Sequence, residues 1–275
     1  MRQVRPGSRW FTSFGEPAGA VCEVVCFPHA GGASAAFRGW QRHTAALAVT
    51  SARLPGREGR IGEPPLREMS ALVDGLVAGL RPPRAGRPYA LYGHSMGALV
   101  AFELVRRVWA LGLPLPVALF VSGRDAPQYA DAEQVHHLPD GELLDRLRKW
   151  DSTADREQPQ EEPQELPQYA ELMRLLLPTI RADLTLAETY RYVPGPPLPV
   201  PVRVLRGSHD PLVRPGHAGW ARQSSVGCAV REFSGGHFFV QDHERSVVEF
   251  LETALAGLPA QEPPEEYDRK ETGAR

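Results

Sequence analysis

The chain has 275 residues, 42% of them hydrophobic and 23% charged, with a formal net charge of −2. That length suits one large α/β domain or two small ones, and the near-neutral balance gives no global basic field to hold nucleic acid or an anionic membrane. Cys22, Cys26 and Cys228 are too few for a disulfide framework; the opening MRQVRPGSRWFTSFGEP lacks the apolar core of a secretory signal, and no apolar run is long enough to span a bilayer, so a cytoplasmic location is expected.

In chain order, AVCEVVCF (20–27) reads as a strand, with Cys22 and Cys26 on one face as small buried residues rather than metal ligands. LAVTSARL (47–54) is a second strand, and MSALVDGLVAGL (69–80) has helical spacing. YALYG (89–93) is a strand that runs straight into a helix over 96–112. VALFVSG (117–123), VRVLRGSHD (202–210) and AVREFSG (229–235) are three more strands, and RSVVEFLETALAG (245–257) closes the pattern as a helix. Strands of nearly continuous apolar character alternating with helices predict an α/β fold: a mostly parallel central sheet with helices on both faces.

Roughly 80 residues between 123 and 202 break this rhythm. DGELLDRLRKW (140–150) and YAELMRLLLPTIRADLTLAETYRY (169–192) are helical in pattern, with Pro178 expected to start a new helix or kink the long one. The acidic, proline-rich stretch 151–168 separates them and reads as mobile. The expected organisation is one domain over 1–257 with a helical lid insertion at about 125–195, followed by a disordered tail, 258–275.

Gly93-His94-Ser95-Met96-Gly97 falls between the fourth predicted segment, a strand, and its helix. This is the setting of a nucleophile elbow, a turn so tight that a side chain two residues before or after the serine collides with backbone. The helix N-terminus favours negative charge developing beside Ser95. A serine nucleophile needs a histidine base oriented by a carboxylate, and in hydrolases of this chain order the acid precedes the histidine. His237, in FSGGHFF, sits on a glycine-paired loop after a strand; His217 and His243 lie in segments that suit solvated histidines. Asp210, at the end of a strand and 27 residues before His237, is the expected acid, with Asp125 one strand after the serine as the alternative. For the oxyanion, the expected donors are the backbone N–H of Met96 and, from the loop FPHAGGAS, that of Ala30. His29 is assigned the shaping of that loop, and His209 a structural place.

Taken together, FPHAGG (27–32), LPGRE (54–58), GHSMGALVAFEL (93–104), SGRDAP (122–127), IRADLTLAETY (180–190), RGSHDP (206–211) and GGHFF (235–239) resemble the type II thioesterases, the free-standing editing enzymes of polyketide and nonribosomal peptide synthetases. The resemblance covers roughly 12–257 and implies an α/β-hydrolase with a helical lid. It implies removal of aberrant or stalled acyl groups from the phosphopantetheine arm of acyl or peptidyl carrier proteins. It also implies Ser95, Asp210 and His237 as the triad, with Met96 and Ala30 at the oxyanion. No cofactor or metal is expected, since the pantetheine belongs to the partner, and a monomer is the default. The apolar residues Leu172, Met173, Leu176, Leu177 and Ile180 line an acyl channel or simply pack the lid; Arg53, Arg57 and Arg60 meet a carrier protein or form a solvated face. The rivals are a chain-releasing thioesterase, a general carboxylesterase of small molecules, and a catalytically idle carrier-binding protein.

Overall fold

The computed structural model describes residues 9–80, 87–129, 133–151, 167–214 and 218–257. Seven strands form one sheet: β1 (Phe11–Ser13), β2 (Cys22–Phe27), β3 (Leu47–Ala52), β4 (Tyr89–His94), β5 (Leu119–Ser122), β6 (Val202–Gly207) and β7 (Cys228–Phe233). Their spatial order is β1-β3-β2-β4-β5-β6-β7, all parallel except the edge strand β1, which runs antiparallel to β3. Every residue of β3, β4 and β5 is buried, as a parallel sheet covered on both faces requires. This is the predicted α/β architecture.

The helices are α1 (Met69–Gly79), α2 (Met96–Ala110), α3 (Asp140–Asp151), α4 (Pro167–Glu188), α5 (Ala218–Ala221), α6 (Phe239–Asp242) and α7 (Glu244–Ala256), joined by a ten-residue 3-10 stretch, Ser34–His43, and a short one at Glu58–Arg60. One apolar core lies between the sheet and α1 and α2, built on Leu76, Leu91, Phe102 and Trp220. A second lies between the opposite face, the 3-10 stretch and α7, built on Trp40, Tyr92, Phe120 and Phe239. Cys22 and Cys26 are small buried members of this second core. A third, smaller cluster of Val135, Leu143, Leu177 and Leu184 joins α3 to α4.

Two points add to the sequence reading. α4 runs through Pro178 as one helix; the proline is exposed, and side chains on either side of it are tied to neighbouring segments, as described below. Phe11–Ser13, too short to show alternation, becomes a strand by pairing with Thr50–Ala52. Most of the polar stretch 151–168 and the tail 258–275 lie outside the described residues.

The chain order places a switch point in the sheet. From β2 the chain moves outward to β3, then crosses back through α1 to β4 on the other side of β2. Loops leaving β2 and β4 therefore diverge, and the crevice outside their carboxyl ends is where open α/β sheets bind ligands.

Candidate active site

Ser95 stands at this switch point. β4 is in register with β2 up to Phe27↔Gly93 and with β5 up to His94↔Ser122. The serine then turns out of the sheet at φ 55°, ψ −117°, a left-handed conformation that costs a β-substituted residue of order 1–3 kcal/mol and concentrates at functional sites. Its N–H is anchored on the Ser122 carbonyl at 2.8 Å, and its side chain makes no capping bond to α2, so the hydroxyl is not engaged by its own helix. Both flanking glycines are required. A Cβ on Gly93 would lie 2.0 Å from the Gly97 carbonyl oxygen, and one on Gly97 would lie 2.1 Å from that of Phe27.

Asp210 and His237 are brought together by the same kind of backbone approach. A Cβ on Gly207, the last residue of β6, would lie 2.3 Å from the Gly236 carbonyl oxygen. Its absence lets the 234–237 loop lie across the end of β6, where the His209 N–H donates to the Gly235 carbonyl at 2.9 Å. The Asp210 carboxylate then spans two donors: Oδ1 accepts the Leu212 N–H, and Oδ2 lies 2.9 Å from His237 Nδ1. Both side chains are buried. With Nδ1 facing a carboxylate, that nitrogen carries the proton and Nε2 is left as the basic one. The imidazole packs 5.0 Å from the ring of His94, the residue before the serine, and Cε1 lies 3.2 Å from where a Gly123 Cβ would be, directly after the Ser122 carbonyl that holds Ser95.

The alternatives sit elsewhere. Asp125 accepts the Arg214 N–H and pairs with its guanidinium. His243 donates from Nε2 to the Ser234 carbonyl, His209 is bonded to Ser208, and His217 lies outside the described residues.

Two neutral rings flank His237. His94 is fully buried with Nδ1 3.0 Å from Ser122 Oγ; burial, and next the nearby charge of His237 and His29, hold its protonation well below the ordinary imidazole range. His29, packed edge-on against Phe238, is pushed down to about 4 by burial, then by His237 and Arg57. Both are therefore uncharged near neutrality and place no competing cation in the site.

The loop after β2 supplies the other wall. Gly31 has φ +76°, a conformation glycine adopts without strain. Among the described residues no acceptor faces the Ala30 N–H, while Met96 opens α2 and its N–H is one of the helix's unpaired first donors. Sequence reasoning gave Asp183 no role and gave Arg57 a different one, yet these two brace this loop. Asp183 on α4 accepts the Gly31 N–H at 2.8 Å and forms a two-pronged ion pair with Arg57. The available signal was an aspartate amid the apolar positions 177, 180, 184 and 187 of a helix. Arg57 and Arg60 are consequently not a solvated or partner-binding face. Arg60 is equally buried, paired with Glu63 and stacked on Trp10 at 4.2 Å. Of the apolar residues expected to line a channel or pack a lid, Leu177 is packed in the third cluster, Ile180 lies on Gly31, and Leu172 is half exposed. A cavity of about 660 Å³ lined by Arg67, Asp74, Glu103, Arg106, Tyr190 and Arg191 opens at the far end of α2 and includes none of these site residues.

A serine strained out at a sheet switch point, a carboxylate–imidazole pair at the ends of neighbouring strands and a helix N-terminus beneath them define an α/β-hydrolase. Residues 23–255 match the thioesterase domain family. The type II thioesterase BorB from the borrelidin biosynthetic cluster superposes with a TM-score of 0.78 at 36% identity, covering 90% of this chain and 98% of BorB. Gramicidin S biosynthesis protein GrsT of Aneurinibacillus migulanus is 35% identical over 89% of this chain and 93% of its own length. YbtT, a type II thioesterase from the yersiniabactin NRPS/PKS biosynthetic pathway, has a TM-score of 0.74 at 31% identity, over 91% of this chain and 98% of YbtT. The chain belongs to the thioesterase family and is a thioester hydrolase. No helix among the described residues is long and apolar enough to cross a membrane.

Proposed function

We propose that the protein is an editing thioesterase that releases aberrant or stalled acyl groups from the phosphopantetheine arms of carrier proteins in a polyketide or nonribosomal peptide synthetase, with Ser95 as nucleophile, His237 as base and Asp210 as its orienting acid. The observation that carries the catalytic reading is the 2.9 Å contact between Asp210 Oδ2 and His237 Nδ1, which leaves Nε2 as the basic nitrogen of a ring centred 5.0 Å from that of His94, the residue before Ser95. The partner class rests on the likeness to BorB, GrsT and YbtT.

In the forward step His237 Nε2 takes the Ser95 proton as Oγ attacks the thioester carbonyl. The Ala30 and Met96 N–H groups hold the oxyanion. Collapse of the tetrahedral adduct breaks the C–S bond, and the pantetheine thiol departs with the proton from His237. Water, deprotonated by the same nitrogen, then attacks the acyl-serine, freeing a carboxylic acid and restoring Ser95. Nucleophile, base and oxyanion donors all come from the chain, so these steps call for no metal or cofactor. A cytoplasmic monomer acting on a separate carrier protein completes the reading.

The test loads carrier proteins with short, branched and long acyl groups and follows release by mass. Ser95→Ala is expected to lower the rate by at least about 10³-fold, since single removal of a serine nucleophile leaves little beyond binding and oxyanion stabilisation. Retained hydrolysis in that variant would sink the mechanism; equal rates on free small esters and carrier-bound thioesters would favour a general carboxylesterase, and a cyclised product a chain-releasing enzyme.

A further inference from the structure

Two stretches that the hydrolytic steps leave unused, LPGRE (54–58) and IRADLTLAETY (180–190), meet against the loop that carries Ala30. We propose that Asp183 and Arg57 are positioning residues which fix that loop, so that the Ala30 N–H points at the developing oxyanion; this rests on the reading of Ser95 as nucleophile and Ala30 as donor.

The loop has a reason to need such a brace. Gly31 and Gly32 are consecutive, and glycine is the residue with the most backbone freedom to lose. Gly31 holds a positive φ with Ile180 against it, and a Cβ on Gly32 would lie 2.9 Å from the His29 carbonyl oxygen, yet an oxyanion donor acts only if held before the reaction where the charge will develop. The brace supplies that rigidity from three directions. Asp183 Oδ2 accepts the Gly31 N–H at 2.8 Å, immediately after Ala30. Arg57 Nη1 donates to the Gly32 carbonyl at 2.8 Å. Ile180, one turn before Asp183, occupies the space beside Gly31, its Cγ1 2.5 Å from where a Cβ would be.

The aspartate and arginine then lock each other. Arg57 Nη1 and Nη2 reach Asp183 Oδ2 and Oδ1 at 2.6 and 2.7 Å, with the residues 5% and 3% exposed. Next to them Thr179 donates to the Gly56 carbonyl at 2.8 Å. Thr179, Ile180 and Asp183 fall on one side of α4, so a single helix face holds both the 29–33 and 55–57 loops. A buried ion pair adds little stability that a well-packed apolar pair would not match, whereas its paired, planar geometry defines one arrangement of its neighbours. Every polar atom of this pair that does not face its partner faces a loop carbonyl or N–H of the oxyanion wall or its support. The lid helix is thus also the outer wall of the oxyanion site.

The test measures kcat and KM on an acyl N-acetylcysteamine thioester for the full chain, with kcat referred to active sites titrated to end-point by a fluorophosphonate, so that misfolded protein drops out. Asp183→Asn keeps the shape and an acceptor for Gly31; kcat is expected to fall about 10-fold with KM within about twofold. The paired variant Arg57→Met/Asp183→Leu removes both buried charges. It leaves the Gly31 N–H and Gly32 carbonyl without these partners, so its melting temperature is expected to fall by several degrees while it stays folded at 25 °C, and kcat to fall about 10–100-fold, less than the loss of a whole oxyanion donor. Affinity for a boronic acid that forms a tetrahedral adduct on Ser95 should weaken in step with kcat/KM. A folded paired variant with unaltered kcat, or one whose only change is in KM, would overturn the proposal. If that result appears while Ser95→Ala is inactive, only the positioning role falls; if Ser95→Ala itself is active, the underlying reading falls with it.

Discussion

At the scale of single residues, the site trades local comfort for geometry. Ser95 keeps a strained backbone because Gly93 and Gly97 let β4, β2 and α2 approach within distances that no Cβ tolerates. His94, fully buried, and His29, half-buried, make no carboxylate contact among the described residues, and both hold their protonation below the usual range. That has a consequence for stability. Between the unfolded value near 6.5 and about 4, the unfolded chain binds a proton at His29 that the folded protein does not, so stability rises with pH across this window and is lost as pH falls through it. His94, shifted the same way, steepens the loss. Urea midpoints measured from pH 7.5 down to 4 should therefore decline, with His29 accounting for up to about 3 kcal/mol at the acid end. His29→Gln, which cannot protonate, should flatten the decline; an unchanged slope in that variant would remove His29 as its source.

At the scale of elements, α4 joins segments that are distant in sequence. One side, Thr179, Ile180 and Asp183, holds the 29–33 and 55–57 loops. Another, at the spacing 177, 181, 184 and 188, holds residues 133–143: Leu177 and Leu184 pack on Val135 and Leu143, Arg181 donates to the His136 and Leu138 carbonyls, and Glu188 accepts the Val135 and His136 N–H groups as well as the His136 ring. A carboxylate on the last residue of a helix opposes the helix dipole, so its presence there is explained by those donors. Glu188→Ala leaves two backbone N–H groups without an acceptor and should cost about 2–4 kcal/mol, read as a lower urea midpoint, with faster amide exchange at Val135 and His136. If those two amides exchanged no faster, the carboxylate would not be their acceptor in solution. Of the two outcomes expected at Pro178, a new helix does not start there: Pro178 removes one helical hydrogen bond, but side chains on both sides of it tie α4 to three other segments. Local propensity registers the proline; the tertiary bonds that outweigh it have no local signature.

At the scale of the molecule, the legible part was whatever repeats or is covalently local. The parallel strands announced themselves because two-sided burial leaves no Asp, Glu, Lys or Arg in LAVTSA, YALYGH or LFVS, and the serine turn because its glycines are close neighbours in sequence. The sequence preferred Asp210 to Asp125, though both follow strands; the approach of residues 235–236 over Gly207 is the feature, without a sequence signature, that brings His237 to Asp210. Arg57 and Asp183, 126 residues apart, had no sequence signal as a pair. The same division separates what stabilises the sheet from what orients the site. Ser95, the Ala30 loop, Asp210 and His237 all lie past the carboxyl ends of strands, whereas Leu76 is fully buried between α1 and the sheet, within the body of the core. Leu76→Ala should cost about 2–5 kcal/mol. For a chain of this length that lowers the melting temperature by roughly 4–10 °C, in one transition because a single sheet spans the fold. Activity per titrated site should stay within about twofold at 25 °C, because the cavity forms behind the strands and leaves their ends in place. A large fall in kcat per site, with the variant still folded, would show that the core and the catalytic edge are not separable in this protein.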